Sequence, residues 1–261
     1  MKNISLHDYL PVVHKIIISM LLLTGCLSAQ ENIVKNAEEA GWELAFKDDF
    51  NREKLGTQWD VLDGKWRIEN GTLSGNGVII TKRSFPERDK TGKIYPGGFA
   101  LGYIRMEFDI TLLKKLPEID ISQKPDKKGS DSGCFINARY SDDADKTKIE
   151  PGYLFELGGL YGAHYRVTKP KHRTTVGEAE PEVGGSKKGK TCRIIAENDE
   201  GVVRLFVDGK AIIEKKEMFS IMGSGFDKIG FELKHPFCID NVMVYVKALP
   251  GGLDRDELRT K

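Results

Sequence analysis

The sequence predicts an all-β protein with two antiparallel layers, either a sandwich or a barrel. Short apolar runs alternate with turn-forming residues along the chain, and 28 of the 261 residues are glycine, which adopts positive φ at no steric cost. Asn70-Gly71 and Asp208-Gly209 each lie between apolar runs, which is a strong local signal for a β-hairpin. No long amphipathic helix is visible in the pattern.

The predicted elements follow in chain order. About ten to twelve strands are expected, because the apolar runs are short, three to thirteen residues each. The strands are predicted at 44–46, 65–69, 72–74, 77–81, 100–112, 133–140, 152–157, 191–197, 202–207, 210–214, 228–233 and 237–246. The polar stretches 86–98, 114–130 and 169–190 are predicted to be loops, because they show no apolar periodicity.

Composition excludes two classes of protein. Hydrophobic residues make up 39% of the chain and charged residues 30%, so the chain can bury a core and is not intrinsically disordered. The formal net charge is +1, from 40 basic and 39 acidic residues, which lacks the basic surplus of a nucleic-acid-binding protein.

The N-terminus predicts export. Residues 1–15 carry Lys2 and Lys15, and the apolar run 16–23 covers roughly 12 Å as a helix, too short for a hydrocarbon core of ~30 Å. Leu23-Thr24-Gly25-Cys26 resembles a bacterial lipobox, so 1–25 is predicted to be a lipoprotein signal peptide and Cys26 the lipidated residue. The alternative is a plain secretory signal cut near Ala29. The lipid would anchor the protein to a membrane of the bacterial cell envelope, in the periplasm or on the outer-membrane surface.

Three cysteines remain after Cys26, namely Cys134, Cys192 and Cys238. None shows metal-ligand spacing, and each lies in an apolar run. They are predicted to be small buried hydrophobic residues. One disulfide among them is possible in an oxidising compartment, and the sequence favours no particular pair.

Several motifs resemble the concanavalin A-like lectin/glucanase superfamily, and within it the 3-keto-disaccharide hydrolase-like domains. They are Gly41–Phe46, Gly64–Leu73, Phe99–Asp109, Ser132–Arg139, Gly152–Leu157 and Phe206–Lys210. The resemblance implies a two-sheet antiparallel jelly-roll sandwich over 41–248, with 26–40 as a linker and 249–261 as a polar tail. It also implies a carbohydrate ligand or substrate.

One position departs from the family pattern. An acidic residue usually follows Gly-Tyr, whereas this chain has Leu154 there and Glu156 two residues later on the same side of the strand. By the same alternation, Asn137 and Arg139 share the polar face of their strand. Glu156 among apolar neighbours could act as a general acid or base.

Further candidates follow from the same reasoning. Glu156 or His164 is predicted to be the catalytic base and Arg139 the partner of an oxyanion. Alternation on strand 100–112 places Ile104, Met106, Phe108 and Ile110 towards the core and Arg105 and Glu107 on the exposed side. The predicted sugar-binding residues are Asn137, Arg105, Glu107, Tyr161 and Tyr165, since aromatic rings stack on sugars while polar groups bind hydroxyls.

The resemblance implies two functions. The first is cleavage of a 3-keto-glycoside by elimination, which requires one base, a polarising cation or Arg, and no cofactor; the paired carboxylates of retaining glucanases are absent. The second is carbohydrate binding without catalysis on the same fold. A third possibility is a structural or adhesion domain with no glycan role. Asp49, next to Asp48, and Asp240 also resemble the structural calcium site of sandwich glucanases, and oxygen ligands suit calcium.

Overall fold

The computed structural model describes most of the predicted domain. The described residues are 37, 40–82, 85, 99–113, 132–140, 149–161, 164–172, 174–180, 189–199, 201–218, 220–221 and 226–248. The chain divides into two compact units, Met1–Glu43 and Leu44–Lys261. The predicted signal peptide 1–25, Cys26 and the tail 249–261 lie outside the described residues. No helix among the described residues is long and apolar enough to cross a membrane.

Thirteen strands make up the described fold, which confirms the all-β prediction. They are β1 (Glu43–Asp48), β2 (Trp59–Glu69), β3 (Thr72–Thr81), β4 (Phe99–Leu112), β5 (Gly133–Tyr140), β6 (Ile149–Glu150), β7 (Tyr153–Leu157), β8 (Tyr165–Lys169), β9 (Thr174–Ala179), β10 (Thr191–Asp199), β11 (Val202–Val207), β12 (Lys210–Lys216) and β13 (Lys228–Ala248). Two short 3-10 turns, Gly158–Tyr161 and Pro170–His172, flank β8.

The strands follow the order β12-β11-β10-β4-β13-β5-β7-β8-β9, and β3 pairs with both β13 and β2. The pairings among β2–β13 are antiparallel. The long strand β13 joins the two layers, because its first part pairs with β3 and β5 and its last part with β4. The two layers therefore share one hydrogen-bonded sheet.

The main hydrophobic core lies between the inner faces of the two layers. Phe108 of β4 meets Phe231 of β13 edge-on, with ring centroids 5.0 Å apart, and Trp59 lies 6.0 Å from the same ring. Ile104, Met106, Phe108 and Ile110 are all buried, as the alternation on this strand predicted. Burying side chains of this size contributes about 1.5–3 kcal/mol each, so this core accounts for much of the stability of the fold.

Both predicted tight turns are confirmed. Asn70 and Gly71 have φ of 53° and 71°, and Asp208 and Gly209 have φ of 49° and 80°. Positive φ at both central residues is the geometry of a type I′ turn, whose twist matches that of the flanking strands. These residues therefore fix the β2–β3 and β11–β12 hairpins.

Two stretches differ from the sequence-based expectation. The predicted loop 169–190 contains β9, the last strand in the order, in which half of the residues are exposed. The predicted strands 228–233 and 237–246 form the single strand β13, with irregular pairing near Leu233 and Asp240. Cys134, Cys192 and Cys238 are free thiols, the first two buried.

Candidate functional site

A row of directly opposed residues crosses five strands on the outer face of one layer, the face turned away from the main core. Its members are Glu232 on β13, Gly133 on β5, Glu156 on β7, Arg166 on β8 and Glu178 on β9. Opposed residues in an antiparallel pair place their side chains on the same face. We call this set the Glu156 row.

Glu156 is nearly buried, with 3% of its surface exposed. Its carboxylate accepts hydrogen bonds from Arg166 Nη1 and Thr168 Oγ1, each at 3.4 Å. Both contacts are longer than the usual ~2.7–2.9 Å of a charge-assisted hydrogen bond. Glu156 also takes part in a further interaction.

Ion pairs link the charged members of this row. Arg166 Nη2 also lies 3.4 Å from Glu178 Oε1, so one guanidinium spans two carboxylates. His164 Nδ1 lies 3.6 Å from Glu178 and 3.5 Å from Glu180 and makes no hydrogen bond with the described residues. Glu180 lies two residues beyond Glu178 and shares its face.

An apolar strip runs beside the row on the same face. It is a small cluster separate from the main core, formed by Ile80, Phe135, Ala138 and Leu154. Phe135 covers Gly230, where a Cβ would lie only 2.5 Å from the phenyl ring. Gly133 is equally constrained, because a Cβ there would lie 2.2 Å from the carbonyl oxygen of Phe155. All four side chains are buried, so this face carries a second, covered apolar cluster beside the charged row.

The opposite layer carries a second charged set on its outer face, the Arg105 network. Its carboxylates are held tightly: Glu107 accepts from Arg105 at 2.7 Å and from Arg193 at 2.9 Å, and Glu197 accepts from Arg105 at 2.9 Å and from Arg204 at 2.6 Å. Each acid thus has an arginine on both oxygens. The network is therefore a set of ion pairs in which both buried carboxylates are fully hydrogen-bonded.

Arg105 and Glu107 therefore do not join Glu156 in one groove. Strand alternation correctly placed them away from the core, but β4 lies in the other layer. The expectation that Glu107 is exposed is wrong: its side chain is 0% exposed, because Arg105 and Arg193 enclose both of its oxygens.

A bulge turns Asn137 away from the predicted groove. Asn137 has φ of 50°, and Ile136 and Asn137 together lie opposite the single residue Ile229 of β13. The side chain is buried and accepts a hydrogen bond from Asn198 Nδ2 at 3.1 Å. The prediction that Asn137 lines an open groove is wrong, because the extra residue breaks the alternation.

Arg139 is also separate from Glu156, since it follows the same bulge. Its Nε and Nη2 atoms donate to Glu150 Oε2 at 3.1 and 2.9 Å, and its guanidinium lies 4.6 Å from the centre of the Phe226 ring. The predicted trio of Glu156, His164 and Arg139 is therefore only partly assembled. Arg166 occupies the place beside Glu156 that was predicted for Arg139.

The two tyrosines predicted to bind sugar lie in different parts of the fold. Tyr165 is buried in the main core, because its position on β8 alternates with that of Arg166, and it cannot offer its ring to a sugar there. Tyr161 ends the 3-10 turn Gly158–Tyr161, and its side chain lies outside the described part of the chain.

The predicted calcium site at Asp49 and Asp240 stays a prediction. Asp48 accepts hydrogen bonds from Arg52, Trp59 Nε1 and the backbone N–H of Phe50, so its oxygens are occupied. Burial raises the pKa of Asp240, and the charges of neighbouring aspartates including Asp49 raise it further. Calcium takes about 6–8 oxygen ligands, and no three acidic, His or Cys side chains of the described chain are placed to hold a metal.

Sequence reasoning missed Glu178 and Glu232 as members of the site. Glu178 lay in a predicted loop, so it had no assigned face. Glu232 lay in a predicted strand, but its position opposite Gly133 depends on strand pairing. The alternation of Glu178 and Glu180 was the available signal for Glu178.

No protein-family model and no curated protein matches the chain. Solved structures do. A protein of unknown function with a galectin-like fold from Bacillus subtilis is 12% identical, with a TM-score of 0.51, and the match covers 79% of this chain and 99% of that one.

Two further structures are similar at lower TM-scores. The carbohydrate-binding module CBM66 from Bacillus subtilis is 14% identical, with a TM-score of 0.39 over 75% of this chain and 95% of that one. SCLam, a non-specific endo-β-1,3(4)-glucanase from family GH16, is 12% identical, with a TM-score of 0.44 over 78% of this chain and 91% of that one. At such identities the likeness concerns the fold alone, and the chain adopts the curved antiparallel jelly-roll sandwich of the galectin-like and concanavalin A-like proteins.

Proposed function

We propose that this protein binds a carbohydrate along the Glu156 row. One observation carries the proposal: Glu156, Arg166 and Glu178 lie directly opposite one another on adjacent strands, so that acceptors and a donor line one outer face. Carbohydrate hydroxyl groups can donate to the carboxylates and accept from the guanidinium.

The fold and the neighbouring residues support this proposal. Carbohydrate ligands offer many O–H donors and also apolar C–H faces. The Glu156 row supplies acceptors in Glu156 and Glu178 and a donor in Arg166. The Arg105 network is a poorer candidate, because its acids already have arginine partners.

The test is glycan binding measured on an array and then by calorimetry. Glu156→Gln keeps the shape of the side chain but removes its charge, and we expect it to weaken binding at least about tenfold, or roughly 1.4 kcal/mol. Glu214→Gln is the matched control, because Glu214 pairs with Arg204 in the other layer. Equal binding by the wild type and Glu156→Gln would remove Glu156 from the site.

A second candidate is cleavage of a 3-keto-glycoside, favoured by the placement of Arg166 beside Glu156. Glu156 would take the proton from the carbon between the ketone and the anomeric carbon, and Arg166 would stabilise the resulting enolate. The electron pair would then form the carbon–carbon double bond as the anomeric C–O bond breaks. The leaving oxygen would recover the proton from Glu156.

Release of the aglycone from a panel of 3-keto-glucosides tests this candidate. We expect Glu156→Gln to abolish release and Arg139→Gln to leave it unchanged, since Arg139 pairs with Glu150. Binding without release from any member of the panel would leave carbohydrate binding as the function.

We also propose that the protein carries a lipid anchor at Cys26. A lipid on Cys26 would hold the glycan-binding domain at a membrane of the cell envelope. Cys26→Ser should move the protein from the membrane fraction to the soluble fraction and abolish labelling by a fatty-acid probe. Unchanged fractionation and labelling would contradict lipidation.

A further inference from the structure

A histidine and an arginine lie beside the same carboxylate oxygen at the β9 end of the Glu156 row. Arg166 Nη2 lies 3.4 Å from Glu178 Oε1, and His164 Nδ1 lies 3.6 Å from that oxygen. A second carboxylate also faces the imidazole, since Glu180 Oε2 lies 3.5 Å from Nδ1. Glu178 therefore lies between two groups that can each bind it, and of the two only the histidine changes its charge near neutral pH.

The imidazole nitrogen that faces these acids is enclosed but unpaired. His164 Nδ1 is buried and makes no hydrogen bond with the described residues. Protonation turns both ring nitrogens into N–H donors and makes the ring a cation. A charge-assisted hydrogen bond of about 2.7–2.9 Å could then form with Glu178, whose side chain is 45% exposed and can shift by the necessary distance of less than about 1 Å.

The other charged groups of this face lie farther from the imidazole. The 3-10 turn that precedes it holds no acidic or basic residue. Arg166 follows two residues along the chain, and Glu156 lies opposite Arg166 on β7. The described charged residues of β13 on this face are Lys228, Glu232 and Lys234, and three strand spacings, roughly 14 Å, separate β13 from β8. The two glutamates that face Nδ1 therefore experience its charge most strongly.

We infer that His164 regulates the carbohydrate site by protonation: the protonated ring binds Glu178 and thereby frees Arg166 for the glycan. This inference rests on the proposed function and adds its regulation. Arg166 Nη2 becomes a donor for a sugar oxygen, while Nη1 stays with Glu156. Glu178 keeps Oε2 as an acceptor, because the contact with His164 uses Oε1. Since histidine gains its charge as the pH falls between 8 and 5, binding should tighten over this range.

The first test follows this exchange of partners without a glycan. NMR of the isotope-labelled protein, titrated from pH 8 to pH 5, records the His164 ring, the Arg166 guanidinium and the Glu178 carboxyl group. In the wild type, the signals of Arg166 and Glu178 should shift with the same midpoint as the His164 ring, and in His164→Gln they should not shift over this range. Arg166 signals that do not follow the titration of His164 would overturn the inference.

The second test measures affinity by calorimetry at about pH 5.5 and about pH 8, with the neutral glycan that binds most tightly on the array. The wild type should bind it about two- to fivefold more tightly at the lower pH, a modest effect because the carboxylates beside His164 are partly exposed. His164→Gln and Glu178→Gln should each remove this difference. The matched control is His172→Gln, beyond the other end of β8, which should keep the difference.

The outcomes separate the regulation from the binding itself. An equal pH dependence in the wild type and His164→Gln would overturn the inference while carbohydrate binding stands. If no glycan binds at either pH, the proposed function fails, and the NMR titration still decides whether His164 competes with Arg166 for Glu178.

Discussion

The carboxylate of Asp48 accepts four hydrogen bonds, from Phe50 N–H, from Trp59 Nε1 and from two nitrogens of Arg52. Burial would raise the pKa of Asp48, but the bonds from Arg52, Trp59 and Phe50 outweigh burial, and the pKa lies below its ordinary value. This cluster ties the end of β1 to the start of β2.

Asp48→Asn should therefore destabilise the fold by about 1–3 kcal/mol, because it removes the charge that Arg52 neutralises and leaves one buried donor unmatched. A depressed native pKa stabilises the protein above the unfolded pKa of about 3.9, and that stability is lost as the pH falls through the native pKa. Urea unfolding at neutral and acidic pH measures both effects. Asp49→Asn is the control, and equal stability of the two variants would contradict this role.

Tyr153 holds the segment after β12 through its hydroxyl. The side chain is buried, and burial raises its pKa to about 12. The hydroxyl donates to Glu217 at 3.0 Å and accepts from the backbone N–H of Ile221 at 2.9 Å. Lys169 also contacts Glu217, at 2.8 Å. These bonds attach the segment after β12 to β7 and β8.

We expect Tyr153→Phe to cost about 1–2 kcal/mol, since it leaves the Ile221 N–H without its partner. Hydrogen exchange should show faster exchange at Ile221 than in the wild type, while the strands of the core stay protected. Unchanged exchange at Ile221 would show that the hydroxyl does not hold this segment.

Strand pairing decides which parts of the site the sequence could predict. Alternation correctly predicted the core face of β4 and the outer position of Glu156 on β7. It could not show that β4 and β7 lie in different layers, because period two distinguishes the faces of one strand and not its neighbours. Arg105 and Glu156 were therefore grouped wrongly.

Local breaks in the side-chain alternation along strands explain the remaining differences between the predicted and the observed residue positions. The bulge at Asn137 reverses the side-chain direction for Asn137 and Arg139, and the sequence around it contains no glycine or proline that marks a bulge. β9 lacked an apolar pattern because it is a terminal strand of the order. Both hairpin turns carried Asn-Gly or Asp-Gly and were predicted correctly.

The two layers use charge in different ways. The Arg105 network binds β4, β10 and β11 together with short ion pairs, and such a lattice stabilises the arrangement of strands. In the Glu156 row across β13, β5, β7, β8 and β9, Arg166 lies 3.4 Å from both Glu156 and Glu178. We therefore assign the short ion pairs of the Arg105 network to stability and the Glu156 row to the proposed ligand.

Mapping the bound glycan by NMR tests this division most directly. An isotope-labelled sample is titrated with the tightest glycan from the array, and the backbone amide shifts are followed. The predicted result is that shifts cluster on β5, β7, β8 and the first part of β13 around Glu156, while β10 and β11 stay unchanged. Shifts that cluster instead on the Arg105 network would contradict the account.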